Sequence, residues 1–454
     1  MRRYAIASIF AREEASVAAR IEALLDHLGI GRAHFAGRAG TDWQGFAALH
    51  PERIASLTVL CPSALDREAL RPLSGRLLVV TGDQGSGARR VRAVLPDLPQ
   101  ARTAVLANYA GLTWANLTAE HGDEILAAMT DFLAGIDAPE APARSAAGDG
   151  EAAEISFRIA GNGPPLVLLP LELSPGQWEP LLPALAERWT TITLGGAHLG
   201  SVASLEERGR SGYMAIVRGL IDRLAIEPEQ TVVEVGCGCG VIMRELARCT
   251  GGHNRLIGID QNPYLMREAR ALAAREGLAD RIDLRSGSAE DLPLPDAFAD
   301  AALCCTVAEE GDAARMLSEL VRITKPGGHV GVIVHAIDRG SWVNLPLDPA
   351  LKAKVESPGM IGGGASPAGC ADASLYPRLA RLEVVKLDCF PQLVAVRAPS
   401  PRLDRYQQQI LAALDAAETK AWRRCVAEAE ADGTFFIAQP FHCAVGQKSG
   451  AAGP

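Results

Sequence analysis

This chain of 454 residues has no apolar run that reaches the roughly 18 residues a membrane helix requires, so no membrane partner is expected. It lacks an excess of positive charge as well. A formal net charge of −9 argues against sequence-independent nucleic-acid binding, because neutralising phosphates needs clustered Lys and Arg. The expected partner is therefore a small molecule, and a homodimer is compatible with that. The opening MRRYAIASIFAREEAS has two arginines and a short apolar stretch, but acidic residues interrupt it before a secretory core develops. The expectation is a soluble, cytoplasmic protein. The ten cysteines follow no regular framework, and Cys304 and Cys305 are adjacent, which favours reduced thiols over disulfides. No repeat with a solenoid period is present.

What the chain does have is alternation. Strand-like runs (AHFAG, SLTVL, RLLVV, RTAVL) alternate with helix-like ones through residues 1–137, and the same rhythm returns after residue 154. Such alternation predicts α/β folding with parallel sheets flanked by helices. Between them, 138–153 is rich in Ala, Pro, Gly and Glu without apolar periodicity, which reads as a linker. The expected organisation is 1–137, the linker 138–153, a segment 154–203, and a domain over 204–448.

The stretch VVEVGCGCGVIMRELA, starting at Val232, places Gly236, Gly238 and Gly240 between an apolar run and a helix-like run. Glycines at a strand-to-helix turn let backbone approach a ligand, and the helix start offers free N–H groups. A dinucleotide fingerprint would need a small residue at position 241, where Val241 stands, which disfavours a pyrophosphate. Asp260 ends the next strand about 20 residues on, where a carboxylate can hold a ribose diol. Cys237 and Cys239 could chelate, but no second Cys/His pair accompanies them, so no metal is expected.

Together with LIGID, GSAEDLP and ITKPGGHVGVI, this loop resembles the class I S-adenosylmethionine-dependent methyltransferases of the type-11 kind. The resemblance runs over about 213–336 and implies a Rossmann-like, seven-stranded domain with S-adenosyl-L-methionine as cofactor. It implies Glu234 at the ammonium of the cofactor's methionine part, and Gly236, Gly238 and Gly240 along that part. Asp260 would hold the ribose, and Gln261, Ser288, Ala289 and Glu290 the adenine side. Ser288 stands where many relatives carry Asp. Thr306 and Tyr213 complete the cofactor set, with Arg208 and Arg210 nearby.

The same resemblance turns the methyl group toward the end of the fourth strand. His335 is the first candidate for a base, with Glu309 and Glu310 beside it, although helix N-terminal charge also accounts for the glutamates. Cys304 and Cys305 read equally as small buried side chains. An insertion, 339–380, is too long for a simple connection and suggests either a substrate cover carrying Trp342, Asn344 and Tyr376 or a packing lid without substrate contacts.

The first third resembles the nucleophile-elbow region of the α/β-hydrolases, with the elbow at Gly37-Arg38-Ala39-Gly40-Thr41. Ala39 has no nucleophilic oxygen, so the usual triad is absent. Residues 154–203 resemble the beginning of the same fold, yet follow it in the chain. A circularly permuted, inactive domain explains the reversed order, the alternative being two unrelated fragments, and it predicts that 165–169 pairs with 34–37. The reading is methyl transfer to a small-molecule acceptor. The alternatives are a serine hydrolase with a displaced nucleophile and a non-catalytic S-adenosylmethionine-binding module.

Overall fold

The computed structural model describes residues 15–450 apart from 39, 63, 64, 111–116, 142–146, 174, 363, 399 and 412. Ala39, at the elbow, and part of the linker thus lie outside the described residues. The chain forms two compact units, Met1–Ala203 and Ser204–Pro454.

In the first unit, eight described strands make one sheet: β1 (Ala33–Gly37), β2 (Ile54–Leu60), β3 (Leu77–Gly82), β4 (Arg102–Leu106), β5 (Gly148–Ala152), β6 (Ile155–Ala160), β7 (Pro165–Leu168) and β8 (Thr190–Gly195). Their order is β4-β3-β2-β1-β7-β8-β6-β5. Every residue of β1, β2 and β7 is buried, as strands covered on both faces must be. The pairing read from the sequence is present: β1 runs parallel to β7, with His34 opposite Leu166, Phe35 opposite Val167 and Ala36 opposite Leu168. The expected linker is shorter than 138–153, because its Gly148–Ala152 portion is a strand antiparallel to β6. Gly, Asp and Glu suit a solvent-facing edge strand, which is why composition alone read it as linker.

The second unit holds a nine-stranded sheet among the described residues rather than seven: β9 (Thr231–Val235), β10 (Arg255–Asp260), β11 (Ile282–Ser286), β12 (Ala299–Cys305), β13 (Thr324–His335), β14 (Trp342–Val343), β15 (Val384–Cys389), β16 (Gln392–Val396) and β17 (Ile437–Lys448). The order β11-β10-β9-β12-β13 is parallel, and β17 returns antiparallel to β13. Two features supply the extra strands. Residue 391 is a proline without an N–H, which divides β15 from β16, and the insertion donates the two-residue β14 to the end of β17.

A second insertion, between β16 and β17, was not anticipated. It consists of the helices Pro401–Leu411 and Ala416–Ala431. Val343, Leu345, Leu351 and Val355 from the first insertion pack with Leu403, Tyr406, Ile410 and Trp422 from the second into one apolar cluster. This cluster is thus built from two stretches of chain, and each buries what the other would expose.

Candidate active site

At the end of β9 the backbone turns through Gly236, Gly238 and Gly240, all left-handed with φ of +74°, +54° and +78°. A side chain would be strained at each. At Gly236 a β-carbon would also fall 2.2 Å from a Val307 methyl. The turn is tied to β10: the N–H groups of Gly236 and Cys237 donate to the Ile259 carbonyl at 2.7 and 3.1 Å. Asp260 finishes the tie, accepting the N–H of Gly238 and of Asn262, each at 2.8 Å. One bond to each oxygen leaves lone pairs for a further donor on both. Burial nevertheless pushes the Asp260 carboxyl up, against the pull of those two bonds.

Glu234 lies in β9, just before this turn, 2% exposed, with its Oε2 sealed from solvent and without a hydrogen-bond partner. Burial, reinforced by the charge of Asp260, pushes its carboxyl up to about 8. A buried acceptor left unsatisfied is costly. An ammonium placed there would meet it. The three glycines, Asp260 and Glu234 therefore fit a zwitterionic amino acid joined to a ribose.

Arg244, one helical turn beyond Gly240, is 3% exposed and holds the loop from behind. It donates to the Cys239 carbonyl at 2.8 Å and pairs with Glu206 at 2.5 Å and Glu276 at 2.9 Å. Nothing in the local pattern announced this triad, because its members come from three separate helices. The thiols of Cys237 and Cys239 are both buried and pushed up by burial, so they stay protonated. Among the described residues, no group of His, Cys, Asp and Glu could hold a metal ion.

Of the residues expected on the adenine side, Ser288, Ala289 and Glu290 follow β11 and Gln261 follows β10. Ser288 accepts the Glu290 N–H at 3.2 Å, and the Glu290 carboxylate accepts from Asp312 N–H at 2.8 Å, at the start of the helix Ala313–Ile323. Ala289 is partly buried against the core, and Gln261 is exposed.

Where β12 ends, Thr306 sits at φ +58°, a strained region for a β-branched residue. Two bonds impose it: Thr306 N–H donates to the Ile333 carbonyl at 2.7 Å, and Arg208 donates to Thr306 Oγ1 at 2.7 Å. The Arg208 guanidinium also lies 5.2 Å from the centre of the Tyr213 ring, a cation–π contact. Tyr213 packs on Phe441 at 5.4 Å between ring centres, and Phe441 on His335 at 4.7 Å.

His335 and Glu309 are brought together. The Glu309 carboxylate, 5% exposed, accepts the His335 backbone N–H at 2.6 Å and faces ring Nδ1 at 2.8 Å. An ionised carboxylate only accepts, so Nδ1 carries the proton and the lone pair belongs to Nε2. Glu310 is exposed and stands outside this pair. The neighbouring Cys304 thiol is pushed up to about 12 by burial, which leaves it inert at neutral pH.

The remaining residues are dispersed. Trp342 is 48% exposed and meets Phe436 edge-on at 5.0 Å. Asn344 donates to the Thr434 carbonyl at 2.8 Å. The Tyr376 hydroxyl is 3.0 Å from His442 Nδ1, whose Nε2 is 2.8 Å from Asp338. His442 and Phe441 are neighbours in β17, so Tyr376 sits against the sheet face opposite His335.

Comparison with known proteins bears on the glycine-loop half. Residues 232–328 match the model of a methyltransferase domain family. A sterol 24-C-methyltransferase of Gibberella zeae is 32% identical over 129 residues, 28% of this chain and 33% of the relative. Another, from Aspergillus fumigatus, is 32% identical over 130 residues, 28% of this chain and 34% of the relative. The chain spans about a third of the length of these curated relatives. Among solved structures, a geranyl diphosphate C-methyltransferase of Streptomyces coelicolor A3(2) aligns with a TM-score of 0.32 and 18% identity, covering 52% of this chain and 79% of that one. The family match begins at Val232, in the strand that carries Glu234, and includes the glycine turn, Asp260 and the residues after β11.

Proposed function

We propose that the Ser204–Pro454 unit is a class I S-adenosylmethionine-dependent methyltransferase acting on a small-molecule acceptor. The observation that carries this reading is the half-satisfied, buried Glu234 beside three left-handed glycines, within a segment that matches the methyltransferase family. S-adenosyl-L-methionine is the cofactor, and when bound it supplies an electrophilic methyl group. Glu234 accepts from its ammonium and Asp260 from its ribose hydroxyls. Gln261, Ser288, Ala289 and Glu290 border the adenine, while Thr306 and Tyr213 close the methionine side.

On the acceptor side, Glu309 fixes the tautomer and orientation of His335, and Nε2 takes the proton that the acceptor loses as its new bond to carbon forms. Positioning supplies most of the remaining rate. Trp342 presents an exposed ring to an acceptor, and Asn344 and Tyr376 hold the cover to β17 and its approach. Calorimetry with S-adenosylhomocysteine tests the cofactor assignment, and turnover of S-adenosylmethionine with any acceptor separates an enzyme from a binding module.

For the Met1–Ala203 unit the reading is a permuted α/β-hydrolase-like scaffold without a nucleophile, supported by the parallel pairing of β1 with β7. Cys61, beside the elbow strand, does not replace the missing serine. Its thiol is pushed up to about 11 by burial.

A further inference from the structure

The second insertion carries a buried guanidinium that makes no ion pair within 4.0 Å among the described residues. Arg402, in the first turn of the helix Pro401–Leu411, is 4% exposed. Its one hydrogen bond among the described residues is a long one, 3.5 Å to the Ser204 carbonyl. Burial disfavours the Arg402 cation most and the charge of Arg208 next, while the Glu207 carboxylate favours it. Arg208 is itself half spent: one nitrogen serves Thr306, while Nε is buried without a partner. The carboxylate of this neighbourhood, Glu207, takes the Ser400 hydroxyl on Oε1, and its Oε2 is sealed and unpartnered. Neither guanidinium forms an ion pair within 4.0 Å among the described residues.

Burying a guanidinium without an ion pair is unfavourable, and two guanidinium groups repel, more than one neighbouring carboxylate offsets. Such a pair persists where an anion completes it. The surroundings say where that anion sits. Arg208 touches Thr306 at the end of β12 and stacks on Tyr213, which leads through Phe441 to His335. From the other side, Tyr406, one helical turn after Arg402, donates its hydroxyl to Gln439. Gln439 is two residues before Phe441 in β17 and so points to the same sheet face as Phe441. The two arginines thus converge on the face that carries the Glu309–His335 pair.

We infer that Arg402 and Arg208 hold an oxyanion group, carboxylate or phosphate, carried by the methyl acceptor. The inference rests on the methyltransferase reading for its role, though not for the anion site itself. Arg402 anchors the charged end of the acceptor, and the atom to be methylated reaches toward His335. Arg suits this task because its planar fork grips two oxygens at once.

The test uses the full-length protein, with and without saturating S-adenosylhomocysteine. Inorganic phosphate and sodium benzoate are titrated calorimetrically at constant ionic strength, with chloride as control. Expected is saturable binding of one of the two oxyanions, weakened at least tenfold in Arg402→Gln and less in Arg402→Lys, with S-adenosylhomocysteine affinity within twofold of wild type. Which oxyanion binds distinguishes the two acid classes. Arg208→Gln supplies a second variant, also expected to weaken the oxyanion at least tenfold, should Arg402→Gln fail to fold. Wild-type binding no tighter than chloride overturns the inference, as does unchanged oxyanion binding in the variants. A tenfold loss of S-adenosylhomocysteine affinity in Arg402→Gln, with oxyanion binding intact, overturns it too, by giving the arginine to the cofactor. If S-adenosylhomocysteine does not bind the wild type at all, the methyltransferase reading fails, and the phosphate and benzoate titrations still decide the anion site.

Discussion

Each unit contains a corner where a buried strand runs through glycines into a helix, and the two corners are finished differently. After β1, the buried acid is held by the protein itself: Asp42, 2% exposed, meets the Gly200 N–H with both carboxylate oxygens at 3.0 Å, and Arg38 donates to the Cys61 carbonyl at 3.1 Å. At the end of β9, the buried Glu234 keeps an oxygen with no partner, and the three glycines that follow it adopt left-handed geometry. The strand-turn-helix shape is common to both. What separates the two corners is whether both oxygens of the buried carboxylate already have a partner.

The sharpest way to break this comparison is at the proton-accepting group. His335→Ala should lower turnover roughly 100-fold while S-adenosylhomocysteine affinity stays unchanged, and Glu309→Gln should follow it in part. The pH profile of kcat is the discriminating measurement, since a merely structural histidine would leave its shape unaltered. Next in size is Asp260. A charge-assisted hydrogen bond contributes about 1.5–3 kcal/mol, so Asp260→Ala should weaken S-adenosylhomocysteine binding at least tenfold by calorimetry. Unchanged affinity would remove the cofactor from this corner.

Glu234 sharpens the comparison through pH. Its folded carboxyl is raised to about 8, above an unfolded value of about 4.3. The protonated form is therefore favoured by folding, and the associated stability is full below pH 4.3 and is lost as pH rises through about 8. Glu234→Gln removes that loss. It should raise the thermal midpoint by several degrees at pH 9 and leave it nearly unchanged at pH 5. In the wild type, an arriving ammonium favours the ionised carboxylate, so cofactor binding at pH 7 should release close to one proton. Heats of binding in buffers of different ionisation enthalpy measure it. Equal heats in all buffers would mean that Glu234 does not meet the ammonium.

The corner after β9 was legible in the sequence because backbone imposes it. Three glycines at fixed spacing and an acid at the next strand end leave few geometries, and Glu234, Gly236, Gly238, Gly240 and Asp260 do come together. His335 and Glu309 were legible as neighbours of adjacent strand ends. Of the arginines only Arg208 was legible, from its place just before the core. Arg402 stands nearly 200 residues after Arg208, and Arg244 meets Glu206 and Glu276 only after three helices have packed. Such contacts leave no spacing to read. The two-part cover was half seen for the same reason, since the apolar faces of 401–431 show their purpose only against Leu345 and Leu351.

The smallest expected effect tests the satisfied corner. At Gly37 an added β-carbon would stand 2.9 Å from Leu169 Cβ, an atom fixed to backbone just after β7. Leu169 reaches that place because its own N–H donates to the Ala36 carbonyl at 2.8 Å, continuing the β1–β7 ladder. A flexible side-chain tip could swing aside. A Cβ moves only with its strand, so Gly37→Ala must push two paired strands apart. Overpacking of this kind costs about 1–3 kcal/mol, or a fall of roughly 2–10 °C in the unfolding midpoint of a unit this size. Gly31→Ala, at a glycine with nothing within 4 Å of the added carbon, is the control and should change little. Adding Leu169→Ala tells nothing, because alanine keeps the clashing Cβ; Leu169→Gly removes it. The coupling in a double-mutant cycle between Gly37→Ala and Leu169→Gly should therefore be favourable by more than 0.5 kcal/mol, the level above which residues in contact stand out from independent ones. Simple additivity would mean that β7 does not lie against the elbow strand in solution, and the permuted sheet would have to be abandoned.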